Sequence, residues 1–251
     1  MILPVKLLAS NLIHCQTKIF MKKKEAGFSL IEMAIVLIII SLLLGTMLMP
    51  LSEQQDIRRI KNTQFILEQA KNALIGYAML NNGSLPCPAA TDDGLKETKP
   101  CPNNEGYLPW ADLGVNRRDS WGNPIRYRAD NNYTGDLLFP NDATIDMETD
   151  NTAGTKLVVR PIDTALPVLT PEDANNRSQV LAILFSCGKN GKPDNGNNAS
   201  GSNNCVNSNT PPNANYVQDY ATPAANFDDI LIWLPKNSFI PQMVSAGVWP
   251  L

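Results

Sequence analysis

Histidine is almost missing from this 251-residue chain: the single one is His14, and nothing after it can supply an imidazole. That removes the Ser-His and Cys-His nucleophile pairs from the bulk of the protein. No G-x-S-x-G, H-E-x-x-H or phosphate-binding G-x-x-x-x-G-K-[ST] segment takes their place. Adjacent carboxylates such as Asp92 and Asp93 stand among turn-forming residues, where solvated surface is the default, so no catalytic role is expected. Cationic surface is also scarce, with 21 Lys and Arg against 24 Asp and Glu. The neutralisation of phosphates that nucleic acid demands finds no basic patch to provide it, and no nucleic-acid partner is expected.

Charge is absent, with one exception, from Phe28 to Leu51, which reads F-S-L-I-E-M-A-I-V-L-I-I-I-S-L-L-L-G-T-M-L-M-P-L. At about 1.5 Å of rise per residue such a run can cross a hydrocarbon core of roughly 30 Å as one helix, so a membrane span is predicted there. Lys22, Lys23 and Lys24 precede it and are expected to hold the N-terminal side in the cytoplasm, sending everything after Leu51 outward. A secretory signal fits poorly, because its apolar region is shorter and is followed by the small residue at the cut, whereas Gly27 precedes this run. The exception is Glu32. A carboxylate inside a span is costly and marks a partner or a function, and the partner it needs is a cation.

These residues carry a resemblance. K-K-K-E-A-G followed by F-S-L-I-E and an unbroken apolar run resembles the class III signal of type IV pilins and of the pseudopilins of type II secretion systems. The resemblance implies cleavage by a prepilin peptidase between Gly27 and Phe28, and N-methylation of Phe28. It also implies that Glu32 meets the terminal amine of a neighbouring subunit during filament assembly. The implied partners are sister pilins or pseudopilins, the peptidase and an inner-membrane assembly platform. The implied location is the bacterial inner membrane, with the head in the periplasm and afterwards in a filament. Met21 opens a compact leader, M-K-K-K-E-A-G, and is the expected translation start. Residues 1–27 contain five lysines and one glutamate, so their removal leaves 16 basic and 23 acidic residues and a side-chain net charge of −7.

Beyond the span, residues 52–80 read as the same helix turned amphipathic: Ile66, Leu67, Ala70, Ala73, Leu74, Tyr77 and Leu80 recur at helical spacing among charged and polar residues. Asn81-Asn82-Gly83 ends it, and residues 81–251 are expected to form an extracytoplasmic head. The segment D-S-W-G-N-P-I-R-Y-R, residues 119–128, reads as a turn leading into a strand on which Ile125 and Tyr127 share one face and Arg126 and Arg128 the other. It is similar to the D-P-W-G-N-P-Y-x-Y segment of major pseudopilins. Further strands are expected at 136–139, 156–160, 179–185 and 229–234. The predicted class is therefore α+β and pilin-like: a long N-terminal helix packed on a small antiparallel sheet with disulfide-braced loops.

Four cysteines remain after the leader, and an oxidising compartment favours disulfides worth roughly 3 kcal/mol each for loops of this size. Local pairing, Cys87 with Cys101 and Cys187 with Cys205, is expected among the three connectivities that four cysteines allow. Zinc is disfavoured because no C-x-x-C spacing occurs. Residues 188–227 are rich in Asn, Gly, Ser and Pro, and are expected to be too polar to bury a core. In the pseudopilin pattern the corresponding loop, S-x-G-x-D-G followed by an acidic pair, binds calcium. Here S-C-G-K-N-G departs from it at Asn190 and keeps the pair at Asp228 and Asp229. With Asp194 these give the implied calcium carboxylates. The alternative is a solvated loop with Asp228 and Asp229 at a strand start. A different class of function, a membrane-anchored adhesin or substrate receptor placed by a pilin helix, also fits the sequence.

Overall fold

The computed structural model describes residues 27–130, 133–134, 157–161, 166–170, 179–194, 197, 215–219 and 227–248. The side chains of 46–51 and 215 are outside that description. The chain divides into two compact units, Met1–Leu48 and Met49–Leu251.

Helix α1, Leu30–Leu80, is shared between them and is helical across Pro50. In the first unit its large apolar side chains from Leu30 to Leu44 are exposed. Gly45, the last residue of this run described in full, stands about 22 Å from Leu30. Among the described residues no helix is long and apolar enough to cross a membrane.

In the second unit the rest of α1 buries one stripe, Ile66, Leu67, Ala70, Leu74, Ile75 and Ala78, at the three- and four-residue spacing that puts side chains on one helical face. Leu80, expected on that stripe, is 87 % exposed, because α1 stops there. The Gly83 N–H returns to the Ala78 carbonyl, and Asn82 and Gly83 both take positive φ, the left-handed turn that ends helices.

The sheet beside this stripe consists of β1 (Glu105–Tyr107), β2 (Arg126–Ala129), β4 (Val180–Ser186) and β6 (Ile230–Pro235), adjacent in that order and antiparallel throughout. A short helix α2, Trp110–Leu113, follows β1. A closing helix α3, Lys236–Ser245, adds Phe239 and Met243 to the core, with Phe239 edge-on to Tyr133. Alternate residues of the sheet face α1, among them Tyr127, Leu184 and Leu234. The expected strand at 136–139 lies outside the described residues.

Two findings depart from the sequence reading. The polar stretch 188–227 contains β5, Asn215–Val217, which pairs in parallel with β3, Val158–Arg160. Tyr216 on β5 is fully buried and meets Phe185, the ring centroids being 5.6 Å apart, so this stretch does contribute to a core. The large aromatic side chain of Tyr216 supplies the apolar area that seats this short strand. The second sheet thus closes over the face that carries Arg126 and Arg128, and both guanidinium groups are buried. They share Glu105, which pairs with Arg126, lies 3.9 Å from Arg128 and accepts the Tyr216 hydroxyl at 2.5 Å. Burial pulls Arg126 down to about 10, still cationic at neutral pH.

Cys87 and Cys101 form a disulfide that braces the segment before β1. Cys187 is also disulfide-bonded, and Cys205, its expected partner, lies outside the described residues.

Candidate functional site

Two groups of residues carry chemistry, one at the start of α1 and one in the head. At the helix start, Gly27 and Phe28 lie before the first helical residue and are exposed, with open space around the Gly27 α-carbon. A peptidase needs such access to close on a peptide bond. Ser29 precedes the first helical residue. Its hydroxyl accepts the Glu32 N–H at 3.3 Å, while the Glu32 carboxylate accepts the Ser29 N–H at 3.2 Å. This reciprocal S-x-x-E arrangement is a capping box, which satisfies two backbone donors that the first turn leaves open. Glu32 thus has a local task that the sequence reading did not assign. The signal was legible in F-S-L-I-E itself, as Ser followed three residues later by Glu before an apolar run.

In the head, Asp194, Asp228 and Asp229 converge until one carboxylate oxygen from each lies within 4.8 Å of the others. Asp228 and Asp229 stand just before β6, and Asp194 closes the loop that leaves β4. Asp194 accepts the backbone N–H groups of Asp228 at 2.5 Å and Asp229 at 3.2 Å. In return Asp229 accepts the Asp194 N–H at 2.8 Å and the Asn197 carboxamide at 2.8 Å. Asn190, the position that departs from the pseudopilin pattern, donates its N–H to Asp228 at 2.7 Å and its carboxamide to Asp194 at 3.1 Å. Its own oxygen accepts the Lys192 N–H, which leaves Asn190 a loop-fastening role.

These hydrogen bonds use one oxygen each of Asp228 and Asp229. The other oxygens, Asp228 Oδ1 and Asp229 Oδ1, are buried without a hydrogen-bond partner. Burial pushes Asp229 up to about 8 and Asp228 up to about 6, the neighbouring carboxylates adding to the shift. Buried acceptors of this kind, converging from three carboxylates, fit an oxygen-ligated hard cation, and calcium takes oxygen at 2.3–2.6 Å. Asp194, Asp228 and Asp229 would hold it, and the ion would supply the positive charge that makes their convergence favourable.

Gly188 decides whether the loop can approach at all. A β-carbon there would stand 2.0 Å from the Asp228 carbonyl oxygen, and φ is +55°. The D-S-W-G-N-P turn lies against this loop. The Asn123 carboxamide donates to the Gly188 carbonyl at 2.6 Å, and Asp119 accepts the Ser186 hydroxyl at 2.6 Å. Sequence reasoning treated the turn and the acidic loop as separate features, because residues 119–123 and 186–194 meet only through the fold.

No curated protein and no solved structure matches this chain. A family profile described as the prokaryotic N-terminal methylation motif matches residues 22–48. That stretch includes Gly27, Phe28, Ser29 and Glu32, and the chain therefore carries the class III signal of type IV pilin and pseudopilin precursors.

Proposed function

We propose that this protein is a filament subunit of the prepilin type, a minor pilin or pseudopilin assembled into a type IV pilus or a type II secretion pseudopilus. The observation that carries the reading is the methylation motif at residues 22–48, with Glu32 in the first turn of α1. The α+β head, in which a helix stripe packs on a small antiparallel sheet, supports it. In this reading Phe28–Leu51 anchors the precursor in the inner membrane, the peptidase cuts after Gly27, and the head stands in the periplasm. The expected mature chain begins with N-methylated Phe28, measured as the intact mass of protein purified from membranes that contain active prepilin peptidase. A terminus still at Met21 would overturn the proposal.

The acidic cluster belongs to the same reading as a calcium site that stabilises the head. A ligand present at a hundred times its dissociation constant stabilises the folded state by about 2.7 kcal/mol. For a domain of this size that raises the melting temperature by about 5–10 °C. Calcium chloride is expected to produce this rise in the chelator-treated protein, and Asp229→Asn to abolish it. An unchanged melting temperature in the wild-type protein would count against the site.

One feature favours the second reading, a binding module that the anchor merely positions. A groove of about 620 Å³ runs between α1 and the outer strand β6, lined by Glu68, Lys71, Leu231 and Trp233 among others. Deletion of the gene separates the two readings: lost piliation or secretion supports the filament subunit, and normal filaments with lost adhesion support the binding module.

A further inference from the structure

We infer that Asp119 and Asn123, in the D-S-W-G-N-P turn, are positioning residues for the cation site: they fix the backbone of Gly188 and so hold the loop that brings Asp194 to Asp228 and Asp229. The inference rests on the calcium reading of that cluster and assigns the turn a task within it.

Two routes run from the turn to Gly188. In the first, Asp119 Oδ1 accepts the N–H groups of Trp121 at 2.9 Å and Asn123 at 2.8 Å, which orients the carboxylate. Its Oδ2 then accepts the Ser186 hydroxyl at 2.6 Å, and the Ser186 oxygen accepts the Gly188 N–H at 3.1 Å. In the second, Asn123 Nδ2 donates to the Gly188 carbonyl at 2.6 Å. Both polar backbone groups of Gly188 are thereby held by one turn. Asp119 and Ser186 are buried, so the chain between them is shielded from competing water.

Gly188 is where such control takes effect. Its backbone packs so closely on Asp228 that no side chain fits between them, so a shift of Gly188 is a shift relative to Asp228. The next residues carry the rest of the site. Asn190 fastens to both Asp228 and Asp194, and a β-carbon on Gly191 would come within 2.9 Å of Asn123 Oδ1. The turn is itself anchored on α1, since Ser120 donates its N–H to Thr63 Oγ1 at 3.1 Å and accepts the Asn62 carboxamide at 2.7 Å. Asp119 and Asn123 are not among the converging carboxylates, and their effect on a bound ion passes through the loop.

The test is calorimetric titration of the full-length, chelator-treated protein in detergent with calcium chloride. Loss of a partner that orients a ligand typically weakens metal binding at least tenfold. Asn123→Ala and Ser186→Ala are each expected to weaken calcium binding about tenfold. Ser186→Ala is also expected to cost about 1–3 kcal/mol of calcium-free stability, because it leaves the buried Asp119 carboxylate short of a donor, so binding is compared at a temperature where both variants are folded. Trp121, half-buried within the turn, gives a second readout: a calcium-dependent change in tryptophan emission that Trp121→Phe removes. If the wild-type protein binds calcium and both variants bind it equally well, the positioning role is overturned while the site stands. If the wild-type protein does not bind calcium, the cation reading falls and this inference falls with it.

Discussion

Glu105→Ala is expected to lower the stability of the head by about 3–5 kcal/mol, the range for removing one partner from a buried ion pair. Glu105 serves three groups at once: it pairs with Arg126, lies close to Arg128 and accepts the Tyr216 hydroxyl. The two carboxylate-facing guanidinium groups are 3 % and 4 % exposed, and water cannot enter to replace the lost charge. Part of their environment survives the substitution, since Arg126 lies over the Phe185 ring at 4.6 Å and Arg128 over Tyr216 at 6.0 Å. Ring faces cannot offset the desolvation of a full charge, so the loss stays large. For a domain of this size it corresponds to a fall of about 6–20 °C in melting temperature.

Two companion variants separate charge from shape. Tyr216→Phe removes a hydrogen bond to a charged acceptor and is expected to cost about 1.5–3 kcal/mol. Glu105→Leu combined with Arg126→Met replaces the pair by apolar groups, and is expected to be less destabilised than Glu105→Leu alone. Urea denaturation of the oxidised protein measures all of these. A loss below about 1 kcal/mol for Glu105→Ala, the value of an exposed pair, would mean that the cluster is solvated and that β3 and β5 do not close over it.

That cluster also marks the boundary of what the amino-acid order reveals. The α1 stripe was legible because Ile66, Leu67, Ala70 and Leu74 repeat at helical spacing and meet one continuous core. β4 and β6 were legible because V-L-A-I-L-F-S and I-L-I-W-L-P are apolar runs too short for helices and rich in β-branched residues. The facing of Arg126 and Arg128 opposite Ile125 and Tyr127 was legible as well, but their burial was not. Burial depends on β5, three residues within an Asn- and Pro-rich stretch, and on Glu105 in a strand as short as E-G-Y. A three-residue strand has no period to detect, and only its partner across the sheet defines it. The acidic cluster divides the same way. Asp228 and Asp229 stand out as a pair before a strand, whereas the closeness of Asp194 and the hold of Asn123 on Gly188 are products of tertiary structure.

Glu32→Gln is expected to abolish entry into filaments while leaving insertion, cleavage and the helix start intact. The structure makes this a sharper experiment than replacement by an apolar residue, because Glu32 has two separable properties. Its side-chain oxygen accepts the Ser29 N–H in the capping box, and its negative charge is available to a cation. Glutamine retains the first property, since S-x-x-Q also forms a capping box, and loses only the second. Glu32→Leu loses both, and the cap alone is worth about 1 kcal/mol. Cleavage should proceed in either variant because Gly27 and Phe28 are untouched and exposed. If the carboxylate meets the methylated amine of a neighbour's Phe28 inside the filament, its neutralisation leaves that amine desolvated and unpaired. Incorporation then falls by about a hundredfold or more. The measurement compares processed monomer in the inner membrane with subunit in sheared filaments or in pulldowns with sister pilins. Both variants are expected to accumulate as processed monomer. Wild-type incorporation of Glu32→Gln with failure of Glu32→Leu would mean that the cap, and not the charge, is what assembly requires. Wild-type incorporation of both would mean that the apolar helix suffices and that Glu32 forms no ion pair between subunits.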